Sequence, residues 1–203
     1  MSTFEEFLFF ENDWMRKKFG HLELVQSTKY FTLKVALNLF LQNNGKLIVE
    51  TGTQRVIDDR GGCSTLLFGA LCARYKRRLI TVDNDPVHME TSKKATEKYS
   101  DYITYVLRDS VEFLHDFNMP IDLLYLDSVD CPMPPTDATE AQKHNAHELV
   151  EAFRNLHENS LVLIDDNNFE NGGKARLSKA ILLQTKSWVC LLDDGQTLWM
   201  KRE

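Results

Sequence analysis

The sequence predicts an α/β domain built on a doubly wound, mostly parallel seven-stranded sheet with a reversed edge strand, preceded by an N-terminal helical extension. Three observations carry that reading. From residue 46 onward, short β-rich runs alternate with amphipathic helical stretches, the pattern of repeated βαβ units. The last two β runs are joined by Asp193-Asp194-Gly195-Gln196, an Asp-Gly link short enough for an antiparallel hairpin. The first forty-odd residues carry helical spacing instead of alternation.

Taken in order, Phe4, Leu8, Phe9 and Trp14 give a rough apolar face, and residues 30–41 give a denser one. The first strand is expected over residues 46–50 and the helix after it over 64–75. A second strand covers 79–83, and Pro86 suits the first turn of a helix over 86–99, with Asp85 placed to cap it. Then come a strand at 103–107, a helix at 110–117, a strand at 121–127 and a long helix at 138–158. A fifth strand is expected at 160–165, and a helix over 174–186 follows Gly172-Gly173. The terminal runs are 188–192 and 197–201. Two parts result: residues 1–45 as the helical extension and 46–203 as one compact ligand-binding unit, with no repeat and no linker between. Periodicity does not set the strand order.

Composition narrows the classes. A chain of 203 residues with 43% hydrophobic and 27% charged residues is long enough for one well-packed domain. It is neither disordered nor fibrous. Its 24 basic against 30 acidic side chains give a net charge of −6, so bulk charge does not hold it to nucleic acid, and nucleic acid is disfavoured as a partner. The four cysteines include no CxxC pair, which argues against a disulfide framework or structural zinc. The start has no secretory pattern, and the longest apolar stretches, 35–41 and 66–73, are too short to cross a bilayer. The expected setting is cytoplasmic, without a membrane.

In open α/β sheets, ligands bind beyond the carboxyl ends of the strands. There the sequence delivers Glu50-Thr51-Gly52-Thr53, then Asp83, then Arg108-Asp109-Ser110, then Asp127 and Asp130, and finally Asp165-Asp166-Asn167. Glycine at 52 lets backbone approach a ligand closely. Asp83 is placed to accept hydrogen bonds from ribose hydroxyls, at nearly the usual spacing from Gly52 once the segment 54–60 is set aside as an insertion. Carboxylates crowded on one rim call for a cation or for tuned protonation. Trp188 and Trp199 read as core residues of the terminal strands.

These motifs, in this order, resemble class I S-adenosylmethionine-dependent methyltransferases over about residues 46–201. Val49-Glu50-Thr51-Gly52 is similar to the first glycine motif, Ile80-Thr81-Val82-Asp83 to the ribose-binding acid, and Arg108-Asp109-Ser110 to the adenine-side turn. The terminal hairpin is similar to the reversed seventh strand of that Rossmann-like methyltransferase fold. The resemblance implies a cofactor site of Glu50, Gly52, Thr53, Ser64, Asp83, Asp109, Ser110 and Asp127.

A narrower resemblance rests on Leu124-Tyr125-Leu126-Asp127 and Val162-Leu163-Ile164-Asp165-Asp166-Asn167. These are similar to the divalent-cation sites of catechol-type O-methyltransferases and of the macrocin O-methyltransferase and cephalosporin-hydroxylase-like groups. The resemblance implies Mg²⁺, or another divalent cation, on Asp127, Asp165 and Asp166, with Asn167 as the substitute if the register slips by one. Two features depart from it. The glycine motif is interrupted by residues 54–60, and Asp130 stands where catechol-type enzymes carry a basic lysine. The general base is therefore Asp130 or a histidine of the long helix, His144 or His147; Asp130 is equally a candidate cation ligand.

The expected function is methyl transfer from S-adenosylmethionine to a hydroxyl of a small-molecule acceptor, with magnesium binding the acceptor. A vicinal diol, as in a catechol or a sugar, suits two open metal positions. Two other readings stay open: a metal-independent protein or RNA methyltransferase, and a non-catalytic cofactor- or metal-binding module. The N-terminal helices, rich in Phe4, Phe7, Phe9, Phe10 and Trp14, offer a surface for a homodimer or a lid over substrate.

Overall fold

The computed structural model describes residues 27–57, 63–131, 137–169 and 172–203. The aromatic N-terminal segment and the homodimer surface expected of it lie outside these residues, as do most of the proline-rich loop before the long helix and the Gly61-Gly62 turn. Among the described residues, no helix is long and apolar enough to cross a membrane.

The first described helix, α1 (Ser27–Gln42), leads into β1 (Leu47–Thr51). Then follow α2 (Ser64–Tyr75), β2 (Arg78–Asp83), α3 (Pro86–Ala95), β3 (Ile103–Leu107), α4 (Ser110–Asp116) and β4 (Ile121–Leu126). The chain closes with α5 (Thr139–Ala152), β5 (Leu156–Ile164), α6 (Arg176–Gln184), β6 (Trp188–Asp193) and β7 (Thr197–Lys201). The seven strands form one sheet in the order β3-β2-β1-β4-β5-β7-β6. Strands β1 to β5 run parallel, and β7 is antiparallel to both β5 and β6. The hairpin expected from Asp194-Gly195 is present, but the reversed strand is β7, one place in from the edge. The outermost strand is β6.

Alternation along each strand builds two cores. Ile48, Leu79, Leu123, Leu161 and Leu163 point to one face, under α1 and α2. Val49, Ile80, Leu124, Val162 and Ile164 point to the other, under α4, α5 and α6. Helix α1 is part of this packing: Ala36, Leu37, Phe40 and Leu41 are buried in the first core. Trp188 and Trp199 are buried in the second, as their strand periodicity indicates.

Local chemistry sets the boundaries. Asp85 caps α3 by accepting from Val87 N at 2.7 Å and His88 N at 3.3 Å, with Pro86 in the first turn. Asp109 caps α4 through Glu112 N at 3.0 Å. The helix expected over 138–158 stops at Ala152, and β5 starts at Leu156, four residues earlier than its polar sequence indicates. The reason is an irregularity: the register with β4 slips between Leu156 and Leu161, and Asn159 adopts a φ of 67°. Ser160 Oγ accepts from His157 N and donates to Ile121 O, so a side chain replaces the broken ladder.

Trp199 combines a 2% exposed indole with an Nε1–H bond to Thr197 Oγ1 at 2.8 Å. Replacing it with alanine removes a large aromatic from the second core and is expected to lower unfolding stability by about 3–5 kcal/mol. Urea melts check this, with an unchanged slope showing that the effect is on packing.

Candidate functional site

The strand order reverses between β1 and β4, and the cleft opens there, at the carboxyl ends of β1, β2 and β4. Gly52 makes the opening. Its φ is +81°, and a Cβ at this position would lie 2.3 Å from Asp127 O, so only glycine lets the two loops approach so closely. The chain then turns outward, fixed at each step. Thr53 N donates to Asp83 Oδ2 at 3.1 Å, Gln54 N to Thr65 Oγ1 at 2.9 Å, and Leu66 N to Gln54 Oε1 at 3.2 Å. The start of the apparent insertion is therefore a strut between β1, β2 and the first turn of α2.

A cavity of about 400 Å³ fills the cleft, walled by Gly52, Thr53, Ser64, Asp83 and Asp127, with Arg55 and His88 at its side. A smaller one of about 50 Å³ shares Gly52 and Asp83 with it and continues to Asp109, Ser110 and His144. Seven of the eight cofactor residues named from sequence thus line one continuous cleft. The eighth, Glu50, lies beneath it with no exposed surface. Its Oε2 accepts from Thr65 Oγ1 at 2.7 Å and Thr81 Oγ1 at 2.8 Å, while Oε1 has no partner among the described residues. Burial pushes the Glu50 carboxyl up to about 7, against the pull of the Ser64, Thr65 and Thr81 hydroxyls. Asp83 accepts Thr53 N–H on one oxygen and Asp85 N–H, at 2.8 Å, on the other, which aims both toward the cavity rim.

The three acids named as metal ligands do converge, but around lysines. Lys174 Nζ lies 2.6 Å from Asp127 Oδ1 and 3.2 Å from Asp166 Oδ2. Lys29 Nζ lies 2.8 Å from Asp165 Oδ1 and 3.3 Å from Asp166 Oδ1. Tyr125 OH reaches both Asp165 Oδ2, at 3.0 Å, and Asp127 Oδ2, at 3.3 Å. Burial, with Asp165 beside it, raises the Asp127 carboxyl above its ordinary range, against the pull of Lys174. Burial works against the Lys174 ammonium too, yet Asp127, Asp166 and Asp165 outweigh it and hold the group charged. Asp165 stays below the usual carboxylate range, because Lys29 and Lys174 overcome its burial.

These residues do not fit a divalent cation. Two ammonium groups stand among the carboxylates such an ion would bridge, and among the described residues no three His, Cys, Asp or Glu side chains are arranged to hold a metal. Asn167 is not the substitute ligand: its amide turns to Asp193 Oδ1 and Asp194 O in the terminal hairpin.

None of the three bases named from sequence stands at the acid cluster. Asp130 is engaged by Arg55 through two bonds, at 2.5 and 2.7 Å, and that guanidinium holds its carboxyl below the usual range. His144 Nε2 meets Ser110 Oγ at 3.0 Å and Glu148 Oε1 at 3.5 Å, at the narrow end of the cleft. His147 is exposed. The residues that sequence reasoning missed are Lys29 and Lys174. The one signal for Lys174 was its place directly after Gly172-Gly173, the turn that folds it back.

The profile of a family described as a methyltransferase domain matches residues 49–167, more than half of the chain. No curated protein matches. Among solved structures, SAH-bound methyltransferase PaMTH1 of Podospora anserina is similar at a TM-score of 0.62 and 17% identity, over 84% of this chain and 77% of that one. The apo structure of CalS11, a TDP-rhamnose 3'-O-methyltransferase in calicheamicin biosynthesis, is similar at 0.64 and 14% identity, over 98% and 92%. The O-methyltransferase NovP is similar at 0.62 and 11% identity, over 86% and 80%. At these identities the structural likeness establishes the fold.

The buried glutamate sets a pH dependence in the ligand-free protein. With its pKa raised from 4.5 to about 7 on folding, Glu50 contributes stability that is full below pH 4.5 and is lost as pH rises through 7. The expected loss is about 3 kcal/mol. Glu50→Gln should remove it, so wild type and variant diverge between urea melts at pH 5 and pH 8, with the variant the less pH-sensitive.

Proposed function

This chain belongs to the methyltransferase-domain family, and on that premise we propose that it transfers the methyl group of S-adenosylmethionine to a hydroxyl of a small molecule. One observation carries the reading: Asp83, suited to a ribose, and Asp127, a half-buried carboxyl raised above its ordinary range, face the same cavity. A nucleoside donor and a proton acceptor are thereby held within one site. The O-methyltransferases of the same fold are consistent with a hydroxyl acceptor.

When bound, the cofactor supplies an electrophilic methyl group on a sulfonium. The chain's own residues do the rest. Each oxygen of Asp83 accepts one backbone N–H and keeps a second lone pair for the ribose hydroxyls. Asp109, Ser110 and His144 enclose the narrow end, where the base of the nucleoside fits. Asp127, beside Gly52, would take the proton of the acceptor hydroxyl as the acceptor is methylated. A carboxyl raised toward neutrality is a better proton acceptor than an ordinary surface one.

The metal-assisted form of the reading is not adopted, because Lys174 and Lys29 already pair the acids it needs. A protein or RNA acceptor is not adopted: rRNA methylases share the fold, but a net charge of −6 gives this chain no bulk electrostatic hold on RNA.

Two variants separate the roles. Asp127→Asn is expected to lower kcat about a hundredfold while S-adenosylhomocysteine binding stays near wild type. Asp83→Ala is expected to weaken that binding by about tenfold or more, since hydrogen bonds to a charged group are lost. Calorimetry with S-adenosylhomocysteine, and turnover against a panel of catechols and sugars, read the two effects; unchanged turnover in Asp127→Asn overturns the assignment.

A further inference from the structure

Five charged groups at the ends of β4 and β5 form an alternating chain: Asp127, Lys174, Asp166, Lys29, Asp165. The two ammonium groups carry the same total charge as one divalent ion, and each bridges two carboxylates, as such an ion does. Lys174 is 1% exposed, which is rare for a lysine unless it is paired. Its root is fixed at the acids. Lys174 N donates to Asp166 O at 3.1 Å, and Gly173, at φ +58°, brings the chain so close that a Cβ there would lie 1.9 Å from Asp166 O. Gln142 Nε2 holds Gly173 O at 2.9 Å from α5. A metal ion entering this cluster would displace a buried ammonium from its partners, and an unpaired buried charge is costly.

We infer that Lys174, with Lys29, is a resident cation: the two ammonium groups neutralise and space Asp127, Asp165 and Asp166 in place of a divalent metal. Lys174 is then the positioning residue that holds Asp127 Oδ1 at the wall of the cleft. The role of Asp127 rests on the methyl-transfer reading; the charge arrangement does not.

The test uses the full chain without cofactor or acceptor, with Mn²⁺ followed by its electron paramagnetic resonance signal and by its effect on Tm. Wild type should leave the free Mn²⁺ signal undiminished, and neither Mn²⁺ nor chelator should move its Tm. Lys174→Met removes one ammonium and uncovers the acids. It should bind one Mn²⁺ per chain at least tenfold more tightly than wild type, with a Tm that rises with the ion. Lys174→Arg keeps the charge and should stay blind to Mn²⁺, which a purely structural role for the side chain does not require. If Lys174→Met folds only when Mn²⁺ is present, that too supports the inference. If it folds under neither condition, Lys29→Met, at a partly exposed position, decides by the same criterion. Wild type that takes up Mn²⁺ and gains Tm from it overturns the inference, as do folded variants that bind the ion no better than wild type. Loss of the methyl-transfer reading with these metal results intact leaves the resident cation standing.

Discussion

Three carboxylates gathered at the ends of two adjacent strands repel one another; a pair of unit charges 4 Å apart costs about 4 kcal/mol at the effective dielectric of a protein surface. Lys174 and Lys29 turn that repulsion into cohesion. They arrive from opposite directions, one from the turn before α6 and the other from α1, so the balance of charge ties together parts of the chain far apart in sequence. Tyr125 adds a hydroxyl between Asp127 and Asp165, and Gln196 in the terminal hairpin donates to that hydroxyl at 3.2 Å. Burial and the neighbouring acids hold the phenol protonated, so it remains a donor.

From this anchored cluster the cleft inherits its geometry. Asp127 belongs to both: one oxygen is gripped by Lys174, and the residue walls the cavity beside Gly52. The loop after β1 is fastened in turn to Asp83 and to Thr65. In the proposed reaction, donor and acceptor would thereby be referenced to the same strand ends, which is what in-line transfer between two ligands demands.

Much of this was legible in the chain. The inner strands show as short, nearly continuous apolar runs because each face of a parallel sheet is covered by helices. Asp85-Pro86 and Asp194-Gly195 show their cap and turn because those residues have specific backbone roles. The residues that line the cleft could be named because glycine and acid fall at successive strand ends. The irregularity in β5 escaped, since His157-Glu158-Asn159 is polar at helical spacing and its register is set by contacts with β4. The lysine partners escaped for a deeper reason. Asp127, Asp165 and Asp166 announce a need for positive charge, but not whether an ion or a side chain supplies it. Lys29 and Lys174 lie 136 and 47 positions from their partner acids, a pairing only the fold creates.

The bridge between Arg55 and Asp130 spans the loops after β1 and β4, and Arg55 lines the cavity. Both side chains are well exposed, 45% and 58%, so the bond adds little to folding stability, about 1 kcal/mol or less. A fastening that weak can be lost without disturbing the sheet. Added salt, by screening it, loosens the tie between the two loops beside the cavity that Arg55 lines.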